Sequence, residues 1–211
     1  MAKTGPFDTH LQEYEKWFDD NHFVFLSELE AIRELIPGKG VGVEIGVGSG
    51  IFSAPLGVAE GCDPSSAMRE KAAERGINAI DGIAENLPYA NESFNFALLI
   101  TTICFVDDAS KTFSEINRIL KPGGKVIVGF VDKDSLVGKL YLQNKGQSLF
   151  YKDAGFFSTE DINQLLTHNG FRILQTCQTV FGKLDEIKDI QPPEDGSGKG
   201  SFVVVKAEKY G

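Results

Sequence analysis

Glu44-Ile45-Gly46-Val47-Gly48-Ser49-Gly50 is the stretch of sequence that decides the fold. The β-branched run at residues 41–45 predicts a buried strand, and Ile51-Phe52 after the third glycine predicts the start of a helix. Glycine adopts positive φ angles and lets a ligand approach the backbone closely, and the free N–H groups at a helix start attract negative charge. We therefore expect a strand, a glycine turn and a helix start that bind a nucleotide-like cofactor with an anionic end.

The spacing of the glycines separates two classes of cofactor. Pyrophosphate dinucleotides bind to G-x-G-x-x-G, whose third glycine position is occupied here by Ile51. The pattern acidic-x-Gly-x-Gly-x-Gly instead resembles the first motif of the class I S-adenosylmethionine-dependent methyltransferases, in particular the small-molecule type of the methyltransferase domain 11 group. The resemblance implies that Glu44 supports the loop. It also implies that Gly46, Val47 and Gly48 line the methionine part of S-adenosyl-L-methionine. A glycine-rich turn without a ligand is the alternative interpretation.

A second acidic residue follows the next predicted strand. Strand character covers residues 58–62, and helix character covers residues 66–75. Between them stands Asp63, 19 residues after Glu44, followed by Pro64. A carboxylate after the second strand of a nucleoside-binding βαβ unit accepts hydrogen bonds from the ribose. The resemblance implies that Asp63 binds the ribose, with Pro64 beside it, and that Met68 lies near the adenine. The alternatives are that Asp63 caps the helix and that Met68 fills the core.

The adenine end of the site departs from the family pattern. The third and fourth strands are predicted at residues 77–80 and 96–100. Many relatives have G-D-A-E-x-L-P-F after the third strand and bind the adenine amino group through the Asp, but Ile83 stands at that position here. We expect the adenine edge to be recognised by the backbone at Ile83 and Ala84, by Glu85, or by the displaced Asp81. After the fourth strand, Thr101 is expected to contact the cofactor.

The turn Leu120-Lys121-Pro122-Gly123-Gly124 resembles another mark of the family. Pro122 is expected to stop the helix that ends at Leu120, and the two glycines to reverse the chain into a fifth strand at residues 126–130. Two further strands are predicted at residues 171–180 and 201–206, after a helix opened by the capping box Ser158-Thr159-Glu160-Asp161. The resemblance implies one α/β domain, a Rossmann-like doubly wound sheet of seven strands with the last antiparallel, helices on both faces and an N-terminal helical cap.

Two segments lie outside this core pattern and are candidates for a substrate cap. They are residues 1–37, helical in character over residues 7–37, and an insertion at residues 132–157 within the core of residues 38–211. Ligands of open α/β sheets bind outside the carboxyl ends of the strands, where both segments can fold. The candidate acceptor-binding residues are Tyr14, Trp17, Cys104, Tyr141 and Tyr151. For any single aromatic residue, packing of the cap against the sheet is the alternative.

Composition and charge narrow the choice of partner. With 211 residues, 42% of them hydrophobic, the chain can bury one core, and no run of about twenty residues is apolar enough to span a bilayer. The net charge of −9 opposes nucleic-acid binding. The segment Thr101-Thr102-Ile103-Cys104 lacks the Asn/Asp-Pro-Pro-aromatic motif of nucleic-acid base methylators. Three cysteines show no metal-ligand spacing, and the start lacks the apolar stretch of a secretory signal. We expect a cytoplasmic protein without a metal that acts on a small-molecule acceptor; the oligomeric state stays open.

The resemblance implies direct displacement of a methyl group from the cofactor sulfonium by an acceptor atom. A general base is needed only if the nucleophile is protonated. The sequence does not identify a catalytic residue among the candidates His10, His22, His168, Asp107 and Tyr151. Two other function classes stay open, a protein that binds the cofactor without transferring methyl and an NAD(P)-binding oxidoreductase, which the glycine spacing disfavours.

Overall fold

The computed structural model describes residues 4–210, which form one mixed sheet with helices on both faces. The strands are β1 Gly42–Ile45, β2 Glu60–Cys62, β3 Asn78–Ile80, β4 Phe94–Ile100, β5 Leu120–Val131, β6 Phe171–Thr179, β7 Glu194–Asp195 and β8 Phe202–Lys209. The helices are α1 Gly5–Thr9, α2 Leu11–Asp20, α3 His22–Leu35, α4 Ser53–Leu56, α5 Ser66–Glu74, α6 Ala109–Ile119, α7 Leu136–Asn144 and α8 Thr159–His168. Short 3-10 turns cover Lys145–Gln147 and Leu184–Glu186. The ends of the predicted domain at residues 1–3 and 211 lie outside the described residues.

The strand order is β3-β2-β1-β4-β5-β8-β6-β7. Strands β1 to β5 are mutually parallel, and β8 inserts antiparallel between β5 and β6. The order reverses between β1 and β4, so the connections after these two strands leave in opposite directions and open a crevice at their carboxyl ends. The predicted doubly wound α/β fold with an antiparallel last strand is therefore confirmed.

The prediction of seven strands omitted one, because the sheet has eight. The additional strand, β7, is two exposed residues that pair with Cys177 and Gln178 of the edge strand β6. It lies in a proline- and glycine-rich connection without alternating apolar residues, so the sequence carried no strand pattern there.

The core lies on both faces of the sheet, because successive residues of the central strands point to opposite sides. Ala97 and Leu99 of β4 belong to the cluster that α6 and α8 cover, whereas Leu98 and Ile100 belong to the cluster that α3 covers. Helix α3 buries one side against β5, β6 and β8. The predicted N-terminal cap thus contains one helix that packs on the sheet and two, α1 and α2, that lie nearer the crevice.

The turn at Leu120-Lys121-Pro122-Gly123-Gly124 differs from its prediction. Helix α6 ends at Ile119, and β5 already begins at Leu120. The register shifts between the pairs Phe94–Leu120 and Phe96–Lys125, so the intervening residues form an irregularity inside the strand, with Gly123 at a φ of +71°. The glycines therefore change the direction of a strand that has already begun. They do not lie between the helix and the strand.

The starts of two helices show which residues act as their N-caps. Ser65, and not Asp63, is the N-cap of α5, since its Oγ accepts a hydrogen bond from the Met68 N–H at 3.2 Å. The capping box of α8 between Ser158 and Asp161 forms as predicted. After the glycine loop, the predicted helix is short, since α4 has four residues; the anion site at its start stays a prediction.

Candidate functional site

A cavity of about 400 Å³ opens at the carboxyl ends of β1 and β4, where the strand order reverses. Every residue predicted from the sequence to bind the cofactor lies in its wall. These residues are Glu44, Gly46, Val47, Gly48, Asp63, Pro64, Met68, Ile83, Ala84, Glu85 and Thr101. The volume suits one nucleoside-sized ligand and a few further atoms.

The glycine loop has the backbone that its sequence predicts. Gly46 and Gly48 adopt φ angles of +68° and +52°. A Cβ atom on Gly46 would lie 2.4 Å from the Thr102 side chain, and one on Gly48 would lie 3.3 Å from the Tyr14 hydroxyl. Only glycine combines this conformation with an open cavity wall, so the loop presents bare backbone to a ligand.

Two buried carboxyl groups flank the loop. Asp63 accepts hydrogen bonds from the backbone N–H groups of Gly48 and Ser65, both at 2.9 Å, and burial raises its pKa. Glu44 accepts a hydrogen bond from the Ser53 hydroxyl, and burial together with the Asp63 charge raises its pKa to about 8. Carboxylate oxygens at these positions suit ribose hydroxyls and a positively charged ligand group.

The adenine end of the cavity is mostly backbone and apolar side chains. Ile83 and Ala84 line the wall, and Met68 is almost fully buried behind it. The Glu85 carboxylate accepts hydrogen bonds from the backbone N–H groups that precede α6, the shorter at 2.6 Å from Asp107. Of the predicted alternatives, Asp81 lies outside the cavity wall and forms an ion pair with Arg69 at 3.0 Å.

Helices α1 and α2 are tied to the loops of the cavity by polar contacts that the sequence did not reveal. Ser65 Oγ donates a hydrogen bond to Asp8 at 2.6 Å. Ser49 Oγ donates to Glu15 at 2.5 Å, and the Arg75 guanidinium bonds both the Glu15 carboxylate and the Ser49 carbonyl. These partners lie up to 60 residues apart, so no local pattern marks them.

The five candidate acceptor residues fall in three places. Tyr14 lines the main cavity. Cys104, Tyr141 and Tyr151 surround a second cavity of about 20 Å³, which shares Thr101 with the first. Trp17 lies in neither wall and packs edge-on against Phe18.

Aromatic rings line part of the main cavity and continue into the wall of the second one. We define the aromatic wall as Phe7, Phe105, Tyr141, Phe150 and Tyr151. Its ring centroids are 5.0–5.6 Å apart in successive contacts from Tyr141 through Tyr151, Phe105 and Phe7 to Phe150. Burial raises the pKa of both tyrosines, so each keeps its proton.

The candidate bases are spread over the molecule. Asp107 lies in the wall of the main cavity, whereas His10, His22 and His168 do not. The His168 ring instead lies 2.7 Å from the Gln164 carbonyl at the end of α8. Of these candidates, Asp107 lines the main cavity and Tyr151 the second one, whereas the three histidines line neither wall.

The described residues also bear on metal binding and on membrane crossing. Within residues 4–210, no group of three His, Cys, Asp or Glu side chains is placed to hold a metal ion. None of the helices in this part of the chain has the length and hydropathy needed to cross a bilayer. Cys62 and Cys177 are buried free thiols.

Comparison with known proteins adds the family. A profile described as "Methyltransferase domain" matches residues 43–128. A solved structure from Thermotoga maritima, an S-adenosylmethionine-dependent methyltransferase described as a possible histamine N-methyltransferase, superposes with a TM-score of 0.95 at 47% identity, covering 98% of this chain and 99% of that one.

Two curated relatives extend the comparison. An uncharacterized protein of Methanocaldococcus jannaschii is 42% identical over 203 residues, which are 96% of this chain and 98% of the relative. A demethylmenaquinone methyltransferase of Corynebacterium kroppenstedtii is 31% identical over 96 residues, 44% of this chain and 42% of its own.

The chain therefore belongs to the class I S-adenosylmethionine-dependent methyltransferases, and its cofactor is S-adenosyl-L-methionine. The membership excludes the NAD(P)-binding oxidoreductase that the sequence had left open. The cavity fits this cofactor, since a bare glycine loop and two buried carboxyl groups line a space of nucleoside size.

Proposed function

We propose that this methyltransferase acts on a small-molecule acceptor bound between the cofactor and the aromatic wall. The observation that carries the proposal is that Phe7 and Phe105 both line the cavity and that their rings contact each other at 5.1 Å. Concave sites with aromatic side chains in their walls are typical of small-molecule ligands.

In this proposal, different parts of the cavity wall bind different parts of the cofactor. Asp63 binds the ribose hydroxyls, the backbone of Gly46, Val47 and Gly48 faces the methionine part, and the backbone at Ile83 and Ala84 reads the adenine edge. Support comes from their common position in one wall and from the exposed backbone of the loop. Thr101, which lines both cavities, contacts the cofactor.

When bound, the cofactor supplies an activated methyl group on a sulfonium. The chain then has to align an acceptor atom with that methyl, and alignment of this kind supplies roughly 7–11 kcal/mol in well-oriented systems. Aromatic faces such as Phe7 and Tyr14 exclude water and stabilise the positive sulfonium through cation–π contact. Where the acceptor nucleophile carries a proton, Asp107 is one of the carboxylates in the cavity wall that can receive it.

Two comparisons support a small acceptor over a nucleic acid. The Thermotoga maritima structure is described as a possible histamine N-methyltransferase, and the Corynebacterium relative acts on demethylmenaquinone. The net charge of −9 gives phosphate-rich partners no general attraction.

Calorimetric titration and a transfer assay test the proposal in sequence. S-adenosylmethionine and S-adenosylhomocysteine should bind and raise the melting temperature, whereas NAD and NADP should do neither. A screen with methyl-labelled cofactor should then label one or more low-molecular-mass acceptors. Labelling of RNA or of protein substrates, with every small molecule inactive, would contradict the assigned acceptor class.

A further inference from the structure

Helix α7 carries an unusual concentration of leucine on its solvent side. Leu136, Leu140 and Leu142 are 46%, 38% and 44% exposed, and Leu149 after the helix is 45% exposed. We define these four side chains as the leucine patch. Val137 and Gly138 on the opposite side of the helix are buried. Exposed leucines clustered within fourteen positions, unlike single ones scattered over a surface, mark an interaction site.

The charge around the leucine patch has the opposite sign to that of the whole chain. Residues 134–153 contain Lys139, Lys145 and Lys152 against Asp134 and Asp153, a balance of +1, although the chain carries a net charge of −9. Among residues 4–210, none of these three lysines forms an ion pair, so their charges face the surroundings of the patch. Helical spacing places Lys139 among Leu136, Leu140 and Leu142.

We propose that the leucine patch and its lysines dock the protein on the surface of an anionic lipid bilayer. Exposed leucines of a surface helix insert between lipid headgroups when the helix lies in the plane of a membrane interface. Lysines beside them are attracted to anionic lipids. Helix α7 has nine residues, so it lies on the bilayer and does not span it.

The charge of the patch disfavours the other occupants of such a face. A symmetric contact with a second copy would bring the three lysines of each patch against those of its partner. Nucleic acid would pair with the lysines but would leave the leucines in water. An anionic bilayer satisfies both kinds of side chain at once.

The leucine patch adjoins the aromatic wall along the chain. Leu149 directly precedes Phe150, whose ring contacts Phe7 and Tyr14 at 5.3 and 6.1 Å. Tyr141 of α7 stacks on Tyr151 at 5.0 Å. Docking would therefore place the aromatic side of the cavity next to the lipid surface, whichever acceptor the enzyme uses.

Sedimentation with lipid vesicles tests the docking surface. The protein should sediment with vesicles of phosphatidylglycerol and phosphatidylcholine and stay in solution with vesicles of phosphatidylcholine alone. Leu136→Ser/Leu140→Ser and, separately, Lys139→Glu/Lys145→Glu should each weaken the binding about tenfold. Unchanged melting temperatures would show that these exposed replacements leave the fold intact.

Leu174→Ser is the matched control, since Leu174 on β6 is 42% exposed and far along the chain from the patch. It should leave vesicle binding unchanged. Three results would overturn the proposal: no binding to anionic vesicles, an equal loss of binding in Leu174→Ser, or a concentration-dependent dimer that the patch variants dissociate while lipid binding is absent.

Discussion

The two sides of the cavity are built by different physics. On the cofactor side, carboxyl groups are fixed by hydrogen bonds, from the Gly48 N–H to Asp63 and from the Ser53 hydroxyl to Glu44. On the acceptor side, rings contact rings, as Phe105 does Phe7 and Tyr151. Hydrogen bonds are directional and therefore select one ligand, whereas apolar contacts stabilise the burial of many different apolar groups. This difference explains why the sequence identifies the cofactor and does not identify the acceptor.

A buried carboxyl group outside both cavity walls sharpens this contrast. Glu28 of α3 is 5% exposed, and burial, with no hydrogen bond from residues 4–210 to offset it, raises its pKa to about 8. Its charge raises the pKa of Tyr141 and Tyr151, which places all three groups in one region. The same chemical group is therefore held on one side of the molecule and left without a partner on the other.

The largest effect is expected from Gly48→Val, which fills the cofactor side with two methyl groups. Cofactor affinity should fall about a thousandfold, because the side chain occupies space that the ligand needs and strains a φ of +52°. Gly57→Val is the control. Gly57 has a φ of +72° and open space around it, so its replacement introduces similar backbone strain without filling the cavity. Calorimetry should show normal binding in the control, and normal binding in Gly48→Val would remove the loop from the site.

Glu28→Gln tests how much this buried carboxyl group lowers the free energy of unfolding. Because the pKa of Glu28 is raised on folding from 4.5 to about 8, the cost of its charge is absent below pH 4.5, grows as pH rises, and is complete above pH 8. The variant should gain on the order of 3 kcal/mol in the free energy of unfolding above pH 8 and nothing at pH 4. Denaturant titrations at both pH values measure this. A gain independent of pH would show that Glu28 is not charged at a cost.

Asp63→Asn tests whether a hydrogen-bonded carboxylate specifies the cofactor. Replacing a charged acceptor by an amide should cost about 1.5–3 kcal/mol, so affinity should fall tenfold or more. Asp81→Asn is the control, because Asp81 shares Arg69 as a neighbour but lies outside the cavity. Affinity within a factor of two of the parent protein would leave Asp63 with only its contacts to Gly48 and Ser65.

The smallest effect concerns a proton at Glu44. With a pKa of about 8 in the free protein, Glu44 is mostly protonated at neutral pH, and a cationic sulfonium nearby favours its ionised form. Binding of S-adenosylmethionine at pH 7 should release up to about one proton, and affinity should rise with pH towards 8. Calorimetry in buffers of different ionisation enthalpy counts that proton. Equal release with S-adenosylhomocysteine, which lacks the sulfonium charge, or in Glu44→Gln would contradict the assignment.

The sequence predicts the features that depend on a few neighbouring residues and misses those that depend on contacts between distant segments. The glycine loop and Asp63 could be placed because each depends on a few consecutive residues whose backbone conformation is encoded locally. Contacts such as Phe7 with Phe105, or Glu15 with Arg75, depend on how distant segments meet in space. Trp17, chosen from a helix-like run, lies outside both cavities because its spacing fixes a helix face and not the neighbour that the face meets.

The polar ties of α1 and α2 to the cavity loops have a consequence for the order of events in turnover. Thr4, Phe7 and Tyr14 lie in the cavity wall, and Asp8 and Glu15 hold them there through Ser65 and Ser49. Movement of these helices away from the cavity has to break both ties. We expect exchange of the spent cofactor that needs this movement to be a gated step of turnover.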